Sequence, residues 1–137
     1  IDDFEEQVSK FCGVKYAIAL NSGTDALTFA LALSGIRHGD EVITTPNSFI
    51  ATAAAIVHLG AKPVFIDVNE DQNINVDLIE AAITENTKGI MPTQLTLAVR
   101  NICKKLPSIY SKKATAAQPQ YYLRLLTMLD VQQKRRH

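Results

Sequence analysis

The sequence has few of the residues that mark a stapled, metal-binding or membrane-anchored protein. Its 137 residues include two cysteines and three histidines. Cys12 and Cys103 stand far apart and fit no redox or zinc spacing, so they read as isolated thiols of a reducing compartment. His38, His58 and His137 share no ligand spacing, and no metal site is expected. No stretch approaches the roughly 18 uninterrupted apolar residues of a membrane span. The opening Ile1-Asp2-Asp3-Phe4-Glu5-Glu6 has neither the basic nor the apolar region of a secretory leader. A cytoplasmic protein is therefore expected. An initiator methionine is also missing, which suggests a chain that starts inside a longer frame.

Net charge is absent only through cancellation. Residues 1–93 hold five Lys/Arg against thirteen Asp/Glu, a net of −8, whereas residues 94–137 hold nine against Asp130 alone, a net of +8. So abrupt a change divides the chain into stretches of different history or different work. The 47% hydrophobic and 20% charged composition is that of a globular domain, with chain enough for one core.

What is present is an alternation of strand and helix patterns. Asp2 or Asp3 can cap a first helix bearing Phe4, Val8 and Phe11, with Gly13 as its left-handed stop. Tyr16–Leu20 is a wholly apolar run of strand length. A helix from Thr24 or Asp25 to Ser34 follows, apolar on most sides and therefore expected to be largely buried. Glu41–Thr45 is a β-branched strand stopped by Pro46, and an alanine-rich helix runs from Phe49 to Leu59. Lys62–Ile66 and Lys88–Met91 are further strands, separated by a helix that Asn75 can cap. This order predicts an α/β fold, a mostly parallel sheet with helices on both faces.

Ligands in such sheets bind beyond the carboxyl ends of the strands, which directs attention to two loops. In Asn21–Thr24, the amides of Gly23, Thr24 and Asp25 stand at a helix N-terminus, where unpaired N–H groups and the helix dipole attract anions. The same residues fit an ordinary helix cap. Asp25 either stands beside an anion at a cost or favours the dipole from the first turn. In Thr45–Phe49, the ring of Phe49 either stacks on a planar ligand or pins the helix into the core.

Taken in order, Asn21-Ser22-Gly23-Thr24-Asp25-Ala26-Leu27, Gly39-Asp40-Glu41-Val42-Ile43-Thr44, Phe49-Ile50-Ala51-Thr52-Ala53 and Gly60-Ala61-Lys62-Pro63-Val64-Phe65-Ile66-Asp67 resemble the DegT/DnrJ/StrS family of sugar aminotransferases over about residues 4–96. The resemblance implies the large domain of the aspartate-aminotransferase (type I) fold, with pyridoxal phosphate as cofactor. It also implies an amino acid such as glutamate as donor, a nucleotide-linked keto-sugar as acceptor, and a homodimer. By the same match, Gly23, Thr24 and Asp25 contact the cofactor phosphate, Phe49 stacks on its ring, and Thr52 supports that shelf.

The family's Schiff-base lysine and pyridine-nitrogen aspartate lie downstream of the matching segment. After Thr93-Gln94-Leu95-Thr96 the pattern is lost at Leu97, and Lys104, Lys105, Lys112, Lys113 and Lys134 match no family position. No catalytic residue is assigned, and the chain is expected to be inactive alone. Residues 97–137 read as a divergent basic tail, with helical spacing over about Gln120–Gln133. A reading-frame shift near Leu97 would account for the break, and the nucleotide sequence there tests it. The Lys134–Arg136 cluster, without a recognised fold or interleaved aromatics, does not point to nucleic acid. The alternatives are a sugar dehydratase of the same family, in which histidine replaces the lysine, and a non-enzymatic binding or assembly fragment.

Overall fold

A computed structural model of the chain describes residues 1–93. The break at Leu97, the basic tail and its helical stretch lie outside the described residues. The elements are helix α1 (Asp2–Cys12), helix α2 (Gly23–Leu33), strand β1 (Glu41–Thr44), helix α3 (Ala51–His58), strand β2 (Lys62–Phe65), helix α4 (Val76–Ala82) and strand β3 (Thr87–Ile90). Among the described residues, no helix is long and apolar enough to cross a membrane.

The three strands form a parallel sheet in the order β2-β1-β3. The chain steps from β1 out to β2 and then returns past β1 to β3. With right-handed crossovers, that reversal sends successive helices to opposite faces. The core is divided accordingly. On one face Val42 packs with Leu31, Ile36, Ala55, Ile56, Ala61 and Met91, under α2 and α3. On the other, Ile43 packs with Ile66, Ile74, Val76, Ile79 and Ile90, under α4. The adjacent residues Val42 and Ile43, both fully buried, thus serve the two halves of the core through the alternation of strand side chains. The helix-covered parallel sheet expected from the sequence is present.

Three local expectations are corrected. Tyr16–Leu20 is not a strand: it joins no ladder among the described residues, and Tyr16 and Ile18 are about three-quarters exposed (73% and 75%). The Ala19 amide donates to Glu5 Oε1 at 2.6 Å, and Lys15 Nζ lies 5.0 Å from the centroid of the Tyr16 ring. Apolar composition favours burial but cannot supply a neighbouring strand. Helix α2 is not buried all round, since Leu31 is covered while Phe29 and Leu33 stand out from its outer face. Asp2 and Asp3 do not cap α1. The helix starts from Ile1 and both carboxylates fall in its first turn, where the dipole favours them. Gly13 does close α1 in the left-handed region, at φ 65°, and the Asn75 side chain does cap α4 by accepting from the Asp77 amide at 3.1 Å.

The amino ends of the strands are tied by a polar clamp. Buried Glu41 accepts from the Thr84 hydroxyl at 2.6 Å and from Lys62 Nζ at 3.1 Å. The Thr84 bond first, then Lys62, holds the Glu41 carboxyl below its ordinary value of 4.5. Lys62 is largely exposed and its attraction is screened, so the hydroxyl bond dominates. A lowered folded-state pKa gives stability that is fully present above the ordinary value and is lost as pH falls through the folded one. Glu41→Gln is expected to lower the urea midpoint at pH 7, with the gap to the parent closing as pH drops below about 4.5. A gap that stays constant on acidification would remove Glu41 as the source.

Candidate cofactor site at the carboxyl edge of the sheet

Connectivity decides which helix ends meet at the carboxyl edge. Helix α2 leads through the Ser34–Asp40 turn into the amino end of β1. It therefore runs antiparallel to β1, and its N-terminus lies at the strand's carboxyl end. Helix α3 starts just after β1 and returns to the amino end of β2, so its N-terminus lies at the same edge. The two helices pack side by side through Leu27, Leu31, Ala55 and Ile56. Both loops singled out in the sequence thus come to one edge of one layer, clear of the Glu41 clamp at the opposite end.

The N-terminus of α2 is held by its own residues. Ser22, in extended conformation at the cap, accepts from the Asp25 amide at 3.1 Å, and its hydroxyl lies 2.9 Å from Asp25 Oδ2. Asn21 Nδ2 donates to the same carboxylate oxygen at 2.7 Å. The expectation of three free amides is therefore corrected to two, since Ser22 takes that of Asp25. Gly23 and Thr24 keep amides without a partner among the described residues. The Asp25 carboxylate is bound into the Asn21–Ser22 turn. A methyl group added at Gly23 would meet nothing within 4 Å, so the space beside its Cα is open.

Phe49 precedes α3 rather than starting it. Its side chain is 77% exposed, which excludes the core-pinning alternative. Its carbonyl accepts from the Thr52 amide at 3.1 Å, and the Thr52 hydroxyl bonds Ser48 Oγ at 2.9 Å. Thr52 thus supports the turn that carries the ring. Two contributors were not singled out as site residues. Ser22 was legible as the cap in a Ser-x-x-Asp pattern. Asn47, which donates to Gln72 Oε1 at 2.8 Å across 25 residues, carried no sequence signal.

Comparison with known proteins agrees with this architecture. The family model of the DegT/DnrJ/EryC1/StrS aminotransferases matches residues 1–103. The chain belongs to that family. The match extends past position 96, the end of the resemblance in the sequence motifs. Among relatives of this DegT/DnrJ/EryC1/StrS chain, GDP-perosamine synthase of Caulobacter vibrioides is 46% identical over 69% of the chain and 26% of its own length. The UDP-2-acetamido-2-deoxy-3-oxo-D-glucuronate aminotransferase of Pseudomonas aeruginosa is 42% identical over 69% and 27%. The crystal structure of NtdA from Bacillus subtilis with bound cofactor PMP superposes with a TM-score of 0.73 at 37% identity, covering 80% of this chain and 26% of that one. The chain spans about a quarter of the length of the curated relatives it matches.

Proposed function

We propose that this chain supplies the phosphate-holding and ring-stacking side of a pyridoxal phosphate site. The enzyme would be an aminotransferase moving an amino group from an amino acid such as glutamate to a nucleotide-linked keto-sugar. One observation carries the reading: two amides without a partner among the described residues, at Gly23 and Thr24, and an exposed aromatic ring, at Phe49, belong to neighbouring helix starts on one sheet edge. The GDP- and UDP-linked sugars in the names of its relatives support the acceptor class.

In this reading the Gly23 and Thr24 amides donate to phosphate oxygens, assisted by the α2 dipole and the Thr24 hydroxyl. The open space at Gly23 lets an anion approach the backbone. Asp25 belongs to the site by holding the Asn21–Ser22 turn, which keeps its negative charge engaged at the cap. Phe49 lies against the flat face of the pyridine ring. When bound, the cofactor supplies the electron sink, while these residues bind and orient it. The family resemblance supports a homodimer acting in the cytoplasm. It also supports residues 1–96 as part of the large domain, while the change of charge after residue 93 supports 97–137 as a basic segment.

Calorimetric titration of the 137-residue chain tests the proposal. Pyridoxal phosphate is expected to bind at one site, with inorganic phosphate competing. Pyridoxal, which lacks the phosphate, should bind at least about tenfold more weakly, the equivalent of about 1.4 kcal/mol. Equal binding of the two vitamers, or none by either, would count against the phosphate role of Gly23 and Thr24.

A further inference from the structure

The loop after β1 carries Phe49, yet little in its own sequence fixes it. Its hydrogen bonds are local: the Asn47 amide to Thr45 Oγ1, the Ser48 amide to the Pro46 carbonyl, and Ser48 Oγ with Thr52. Among the described residues, one hydrogen bond ties positions 46–50 to an element other than α3. It runs from Asn47 Nδ2 to Gln72 Oε1, at 2.8 Å.

Gln72 is unusual in its backbone. It is the one non-glycine residue with positive φ, at 63°, among the described residues. A long side chain in the left-handed region is strained, and a glutamine persists there only where the surroundings impose it. Those surroundings are built. Residues 67–75 fold back on themselves through the Val68–Ile74 bridge and the Asn75 amide donating to the Asp67 carbonyl at 3.0 Å. Asn73, 2% exposed, is held by Asp71 through its amide and its side chain, each at 3.1 Å. The Gln72 amide itself donates to the Asn69 carbonyl at 2.9 Å. Ile74 and Val76 anchor the fold-back in the core beneath it. The loop after β2 is thus rigidly based, and its strained residue reaches across to the loop after β1.

We propose that Gln72 is a positioning residue for the Phe49 ring. Its left-handed backbone aims the side-chain oxygen at Asn47, so the anchored β2 loop fixes the β1 loop and the aromatic shelf two residues further on. The consequence for pyridoxal phosphate rests on the proposed function; the clamp itself does not.

The test separates the two. In the ligand-free full chain, backbone 15N order parameters at Ser48, Phe49 and Ile50 are expected to be those of a rigid backbone, about 0.85. In Gln72→Ala and in Asn47→Ala they should fall towards 0.6 or below. The double variant should fall no further, and values for Glu41–Thr44 should not move. Gln72→Glu keeps an acceptor oxygen and should restore the parent values; a role for Gln72 in bulk stability alone would not produce that rescue. Unchanged order parameters in both single variants, or losses that add in the double, overturn the clamp. Titration with pyridoxal phosphate then reads the functional link. Loss of one such hydrogen bond should weaken binding about two- to tenfold in the alanine variants and leave Gln72→Glu near the parent. Equal affinity in the parent, both single alanine variants and Gln72→Glu overturns the positioning role. Absence of binding in the parent refutes the proposed function and leaves the order parameters to judge the clamp.

Discussion

Ile43→Ala is expected to destabilise the domain by about 2–5 kcal/mol, the range for removing a buried branched side chain and leaving a cavity. Ile43 is fully buried on the central strand, between Val64 of β2 and Ile90 of β3 in register, and touches the core under α4. Its neighbours are fixed on two flanking strands and one helix, so the cavity has little freedom to collapse. Ile43→Val should cost only about 0.5–1.5 kcal/mol, because one methylene is lost and the β-branch stays. Leu33→Ala is the contrast. Leu33 is 83% exposed on the outer face of α2, and its truncation should lie within about 0.5 kcal/mol of the parent. Urea unfolding followed by circular dichroism reads all three. Since a domain of this size has only about 5–15 kcal/mol to lose, Ile43→Ala should be the variant with a visibly shortened native baseline. Similar midpoints for Ile43→Ala and Leu33→Ala would mean that the core is not centred on β1.

That contrast also shows what the sequence could and could not convey. The order of elements from α2 to β3 was legible because strand-length apolar runs alternate with helix-length ones, with Pro46 and Asn75 as punctuation. Boundaries moved by one or two residues, as helix ends commonly do. Tyr16–Leu20 and the outer face of α2 were misread for one reason. Their composition reports a preference for burial, whereas burial depends on what other structure arrives to cover them, and that is not encoded locally. The candidate site was legible in half. Ser-Gly-Thr-Asp before a helix announces a cap, and the fold shows which amides the cap consumes and which it leaves. Phe49 could equally have faced inward; only its 77% exposure decides. The Asn47–Gln72 link joins residues 25 apart through one strained φ, and neither feature has a local pattern from which it could be read.

The largest effect on ligand binding is expected from Gly23, with no loss of folding. A methyl group at position 23 meets nothing within 4 Å, and the residue opens a helix rather than occupying a left-handed turn. Gly23→Ala should therefore melt at or slightly above the parent, as a glycine replaced at a compatible backbone position does. The same methyl group would stand where an anion must approach the Gly23 and Thr24 amides. Hydrogen bonds to a charged acceptor are each worth about 1.5–3 kcal/mol, so displacing the phosphate from one of them should weaken pyridoxal phosphate roughly 10- to 100-fold. Phe49→Ala removes the stacking face instead, worth about 0.5–1.5 kcal/mol, and should weaken pyridoxal phosphate and pyridoxal by the same factor. Gly23→Ala should weaken only the phosphorylated vitamer. The selectivity of Gly23→Ala against the equal losses of Phe49→Ala is the decisive readout, because a general loosening of the edge would reduce both ligands in both variants. If Gly23→Ala binds pyridoxal phosphate as tightly as the parent while remaining folded, the open end of α2 is not where the phosphate sits.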